Sequence, residues 1–152
     1  MLLTQIMKKS SIVVPLVSTA KDDVITELVD VIASNGILKD RDMVLDSVLM
    51  REQTRSTGIG SGIAIPHGKS RGVEELAMAI GIAKNPIEFD SIDGKGVTIV
   101  VLLVSPAGQT GPHIQALAKI SRLMLDEAFR TQLQEAGSAD ELYELIRAKE
   151  SE

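Results

Sequence analysis

Apolar residues recur along the chain with two different periods, and the change of period divides it into elements. "SIVVPLV" at 11–17 reads as a first strand that Pro15 confines to an edge or ends early. Helical spacing follows. Val24, Ile25, Leu28, Val31 and Ile32 share one face, Ser18 or Thr19 is placed to cap, Asp22 and Asp23 sit in the first turn, and Gly36 stops the run. Asp40 opens a second helix with Met43, Val44, Ser47 and Val48 on one stripe and Arg51 at or near its C-terminal end. "IAIPHG" (63–68), "LAMAIGIA" (76–83) and "VTIVVLLV" (97–104) then read as three strands. The middle one sets Leu76, Met78, Ile80 and Ile82 against Ala77, Ala79, Gly81 and Ala83, so its small face suits close packing under a helix. The loop "NPIEFDSIDGKG" is rich in turn-forming residues.

The last third is helical. In "SPAGQTGPHIQALAKISRLM", Thr110 or Gly111 can cap, Pro112 fits the first helical position, and Ile114, Leu117, Ala118, Ser121 and Leu125 follow one face. His113 then belongs to the first turn. Asp126 starts a short helix ending before Gly137, and Ser138 with Glu141 matches a capping box ahead of Leu142, Leu145 and Ile146. The expected order is β-α-α-β-β-β-α-α-α, without repeat, linker or low-complexity segment. A strand as apolar as 97–104 needs cover on both sides, so the fold class is α/β, a mixed sheet flanked by helices as a three-layer sandwich.

A chain of 152 residues suits one domain with a substantial core. Aromatics supply only 2% of it, so the core must be built from Ile, Leu, Val, Ala and Met. The longest apolar run has eight residues, far below the ~20 of a membrane helix, which predicts no direct membrane insertion. Lysines follow the apolar start "MLLTQIMKKS", the reverse of a signal peptide, and cysteine is absent; both predict a cytoplasmic protein. A net charge of −5 and the lack of stacking aromatics argue against a nucleic-acid partner. The charge is uneven, however. Arg51, Arg55, Lys69 and Arg71 face one acid, Glu52, between 51 and 71, whereas residues 126–152 hold eight acids against three cations. An anion prefers the first region.

That region contains "GIGSGIAIPHGK" at 58–69, where small residues lead into a short strand and one of two histidines in the chain sits where the strand must stop. Familiar phosphate and hydrolase motifs fail there. "GIAIPHGKS" has five residues between Gly62 and Gly68 where a P-loop has four, Ile63 stands where a dinucleotide fingerprint needs its third glycine, and "GIGSG" lacks the Gly-x-Ser-x-Gly spacing. Two histidines without cysteine make a metal site unexpected, and no cofactor is implied. What remains is His67 as a nucleophile, because neutral imidazole is abundant at pH 7 and nucleophilic. Phosphoryl transfer suits it, since that reaction mainly asks a protein to position the group and stabilise its oxygens. Gly68 allows close approach of a backbone N–H, Arg51 and Lys69 supply positive charge, and the helix start at Pro112 and His113 can face the same anion. The helix dipole there keeps His113 neutral and able to donate a hydrogen bond. A turn histidine at 67 and a capping histidine at 113 are the structural alternatives.

"REQTRSTGIGSGIAIPHGK" resembles the signature of the type-2 EIIA domains of the bacterial phosphoenolpyruvate-dependent phosphotransferase system, the fructose, mannitol and nitrogen-related group. The later "HIQALAKISRLM" is similar to that family's second-histidine helix, so the likeness spans nearly the whole chain, 1–152, as a single EIIA-type domain. The resemblance implies His67 as phosphoacceptor, Arg51 as the phosphate-stabilising arginine and His113 as the histidine that steadies the site. It implies a phosphohistidine intermediate, with phosphate arriving from an HPr-type phosphocarrier protein or its nitrogen-branch counterpart. In sugar uptake the phosphate passes to a cysteine of an EIIB protein; on the nitrogen branch the phosphorylation state of the histidine governs binding to regulatory targets. Some mannitol-type members carry glutamate six residues before the active histidine, where this chain has Ser61, so the loop is closer to the nitrogen-related and fructose members. Having no cysteine, the chain cannot supply the EIIB acceptor itself.

Overall fold

The computed structural model describes all of residues 1–152, with six α-helices and six strands in one mixed sheet. Strand β6 (Val97–Pro106) is its axis. On one edge β6 pairs antiparallel with β5 (Ala77–Ile87), Ala77 opposite Val104 and Ile82 opposite Ile99. On the other it pairs parallel with β3 (Ile63–Ala64) and, further along, with β4 (His67–Ser70). β1 (Ile12–Val13) lies parallel to β5, and β2 (Gly58–Gly60) antiparallel to β3. Helices cover both faces. α2 (Lys21–Ser34) and α3 (Arg41–Thr54) pack against Ala64, Ala77, Ala79, Ala83, Val100, Leu102 and Val104. α1 (Leu3–Ile6), α4 (Thr110–Leu123), α5 (Glu127–Glu135) and α6 (Ala139–Glu150) pack against Ile63, Met78, Ile80, Ile82, Ile99, Val101 and Leu103.

The alternation in β5 and β6 therefore sorts side chains between two separate cores, which is why β6 reads as a continuous apolar run. The small side of β5 meets α2, as its composition requires. At Gly81 a Cβ would lie 2.5 Å from Leu16 Cδ2, so the chain segment bearing Leu16 can cross there only over a glycine.

Several local expectations need correction. "IAIPHG" is two strands on the same edge of β6, because Pro66 has no N–H to give the ladder. Its carbonyl still accepts from Leu103 N–H at 3.1 Å, and the ladder resumes at His67. The histidine thus opens a strand instead of closing one. "GIG" forms β2 and "LTQI" forms α1, elements too short for periodicity to reveal. α1 is held from outside: Leu3 and Thr4 N–H both donate to the buried Glu150 carboxylate of α6, which also pairs with Lys119 at 3.0 Å.

Helix boundaries differ in detail as well. Asp40 and Asp126 cap α3 and α5 through Met43 and Phe129 N–H as expected. α2 instead has Ala20 at its N-cap, and Ser18 N–H donates to Glu27. α4 starts at Thr110, which moves Pro112 to the third helical position. Its buried face is His113, Ala116, Ile120 and Leu123, about one position round from the expected stripe, and Ile114 is 59% exposed. The stripe was ambiguous because alanine and isoleucine alternate across both faces. At α6, Ser138 accepts from Glu141 N–H, but the Glu141 carboxylate takes Gly137 N–H, so the box is displaced by one residue.

Candidate functional site

His67, at the start of β4, is half-buried and turned toward α4. Its Nδ1 lies 2.7 Å from the carbonyl oxygen of Ile65, the residue before the proline that interrupts the ladder. A carbonyl only accepts, so Nδ1–H donates and the lone pair is on Nε2. Burial pushes the imidazole pKa below its ordinary value; the Ile65 carbonyl opposes this and the nearby Arg51 charge reinforces it. Neutral, nucleophilic imidazole is accordingly the dominant form at pH 7.

His113 faces it from the first turn of α4, with ring centroids 5.5 Å apart and planes tilted by 55°. It is 5% exposed, and its Nδ1 sits 2.6 Å from Oγ of the fully buried Ser105 on β6. With the Ser105 hydroxyl donating to Nδ1, His113 presents Nε2–H as a donor. Burial lowers its pKa to about 4, helped by His67 and Lys69. Between the unfolded value of about 6.5 and this folded value, the unfolded chain binds a proton that the native chain refuses. Stability must therefore fall as pH drops through that window. Urea unfolding between about pH 7 and pH 5 should show this decline, and His113→Gln should make it shallower; equal slopes would mean the imidazole is not its source.

Lys69 lies two residues beyond His67 on the same side of β4, exposed, with Nζ 3.3 Å from Thr110 Oγ1 at the start of α4. Gly68 points the opposite way. A Cβ there would lie 3.2 Å from both Val48 Cγ2 and Val48 N, so the missing side chain brings α3 onto β4. That packing sets the position of Arg51 in the last turn of α3. Arg51 lines one cleft with His67, and its Nη1 donates to Arg55 carbonyl oxygen at 2.9 Å. Arg55, Ser56, Thr57, Ile59, Ile65, Ile92, Leu117 and Ser121 complete the lining.

The end of α3 is fixed by the residue after Arg51. Glu52 is 3% exposed, accepts from Thr57 N–H at 2.8 Å and from the Thr57 hydroxyl, and pairs with Lys21 Nζ at 3.0 Å. Thr57 carbonyl oxygen in turn accepts from Ile65 N–H at 3.1 Å. A chain of polar contacts thus runs from α2 through the helix end to the residue whose carbonyl orients His67. His67 thus has a guanidinium without a carboxylate partner in its cleft and a second imidazole beside its ring, neighbours suited to a group carrying negative oxygens.

The family model for the phosphoenolpyruvate-dependent sugar phosphotransferase system, EIIA 2, matches residues 5–149. The chain belongs to this family. EIIA relatives of two kinds resemble it. It is 37% identical to the PTS system fructose-specific EIIABC component of Bacillus subtilis over 96% of its own length, but spans only 23% of that longer protein. It is also 37% identical to the nitrogen regulatory protein of Klebsiella oxytoca, over 79% of this chain and 75% of that one. Nitrogen regulatory protein IIA-Ntr of Neisseria meningitidis superposes with a TM-score of 0.86 at 30% identity, covering 93% of this chain and 97% of the other. The mannitol IIA of Escherichia coli shares the fold, with a TM-score of 0.79 at 20% identity. EIIA family members are components of a phosphotransferase system. No helix of this EIIA chain is long and apolar enough to cross a membrane.

His67 joins the other two site residues read from the sequence: Arg51 lines its cleft, His113 faces its ring, and Lys69 lies two residues along the same strand. The sequence names Glu52 only as an acid among cations, and gives no role to Ser105, Thr57, Lys21 or the Ile65 carbonyl. Ser105 left one trace, as the polar residue ending an apolar run. The Glu52 clamp left none, since a glutamate late in a helix ordinarily faces solvent.

Proposed function

We propose that residues 1–152 act as one EIIA-type domain that takes a phosphoryl group on Nε2 of His67 from a phosphorylated HPr-type protein, or its nitrogen-branch counterpart, in the cytoplasm. The lone pair of Nε2 attacks phosphorus while the P–N bond to the donor imidazole breaks and its electron pair returns to that ring. The observation that carries this reading is the Nδ1–H···O contact to Ile65, which fixes the lone pair on the other nitrogen, in the cleft that also holds Arg51. Arg51 and the exposed Lys69 offset the charge of the oxygens, His113 donates from Nε2–H, and Gly68 keeps α3 close enough to deliver Arg51. Onward transfer goes to an EIIB cysteine in sugar uptake. A solved structure of the same fold, the mannitol IIA of Escherichia coli, is in complex with phosphorylated IIB, which supports a partner of that kind.

The second reading is regulatory, with phosphorylation of His67 switching affinity for target proteins. It is favoured by nitrogen regulatory relatives that match this chain over most of their own length. Incubation with phosphoenolpyruvate, enzyme I and an HPr-type protein should attach an acid-labile, base-stable phosphate. Adding candidate EIIB proteins then separates the readings, because discharge supports the carrier role and a stable label that alters target binding supports the regulatory one. Absence of label would dismiss both.

A further inference from the structure

β6 alternates between the two cores, and Ser105 falls in the row of Ile99, Val101 and Leu103, which faces α4. A hydroxyl is out of place in that row. Ser105 is 0% exposed, so its Oγ–H has no water to meet and must find a partner within the protein. That partner is Nδ1 of His113, 2.6 Å away in the first turn of α4, and Ser105 Oγ has no other.

The direction of this bond follows from what each atom has left. Burial keeps His113 neutral at pH 7, so its ring carries one N–H. If that hydrogen were on Nδ1, the serine would accept it and its own hydroxyl hydrogen would be buried unpaired. The serine therefore donates, and the ring proton belongs to Nε2. His67 is pinned in the opposite sense, because the Ile65 carbonyl oxygen accepts from its Nδ1–H at 2.7 Å and leaves the lone pair on Nε2. An acceptor behind one ring and a donor behind the other thus hold two neighbouring imidazoles, with centroids 5.5 Å apart, in complementary tautomers. One free nitrogen can attack phosphorus while the other offers a hydrogen to its oxygens. In the same tautomer as His67, His113 would instead set a second lone pair against those negative oxygens.

We propose that Ser105 is a positioning residue for phosphoryl transfer, whose hydroxyl selects the Nε2–H tautomer of His113 and so the donor that steadies the arriving group. This rests on the reading that His67 accepts that group. Ser105 is walled off from the cleft and acts only through the ring. Long-range 1H–15N correlation spectra of the histidine side chains, with labelling by phosphoenolpyruvate, enzyme I and an HPr-type protein, test it on wild type, Ser105→Ala and Ser105→Thr. Wild type should show His113 at pH 7 as a single neutral tautomer protonated on Nε2. Ser105→Ala should mix the two tautomers of His113, leave that of His67 unchanged and slow phosphorylation about five- to tenfold. Ser105→Thr keeps the hydroxyl and should bring the rate back to within about twofold of wild type, with the single tautomer restored. A wild-type His113 protonated on Nδ1 overturns the proposal. So does a Ser105→Ala protein that is labelled as fast as wild type, or one that is slowed with its tautomer unchanged; in each of these cases a labelled wild type leaves the acceptor role of His67 standing. Wild type that takes no label overturns the acceptor reading and the role of Ser105 together.

Discussion

His67→Gln should leave a folded chain that takes no phosphate. Glutamine is close to imidazole in reach, and its amide can still donate to the Ile65 carbonyl now served by Nδ1–H. The half-buried site loses little packing, so thermal unfolding should shift by no more than a few degrees. What disappears is the nitrogen lone pair, and a nucleophile has no substitute in this cleft. His113 cannot replace it, because that ring is 5% exposed and its Nδ1 is engaged by Ser105. Labelling by the phosphoenolpyruvate cascade should therefore fall by more than about a thousandfold. A folded variant that is still labelled would remove His67 from the mechanism, and mass spectrometry of the labelled peptide would show where the phosphate went.

The largest loss of stability is expected at Glu52→Ala. The carboxylate is buried, accepts from the Thr57 amide and hydroxyl, and pairs with Lys21, so its removal leaves a buried N–H without a partner and Lys21 with only the more distant Asp90 carboxylate at 3.7 Å. Breaking a buried pair from one side costs about 3–5 kcal/mol, and the partial exposure of Lys21 favours the lower figure. Urea unfolding should show the midpoint fall with an unchanged m-value, and a loss under about 1 kcal/mol would show the clamp to be incidental. Because the same contacts anchor the helix end bearing Arg51, phosphorylation of the surviving folded protein should also slow.

These two residues mark what could and could not be read from the primary structure. His67 was legible because glycine, proline and an isolated histidine at the end of an apolar alternation leave few dispositions of the chain. Local rules also sufficed for the Asp40 cap and for the split between large and small faces of β5. Failures came where an outcome depended on distant partners. α1 exists because Glu150 of α6 receives its free N–H groups, a contact across almost the entire sequence. The face α4 buries was decided by the sheet it meets, and two interleaved stripes of similar hydropathy gave periodicity nothing to choose between. In the site, Ser105 and Glu52 matter through what they touch. At Gly68 the missing side chain admits Val48, a packing role that a motif for phosphate approach does not reveal.

The Glu150 clasp brings the opening turn and the final helix to a common corner of the molecule. A polypeptide whose two ends leave side by side can be spliced to neighbours, before or after, without threading a connection past its working surface. In the longer Bacillus subtilis relative the matching stretch occupies about a quarter of the whole, 23% of its length.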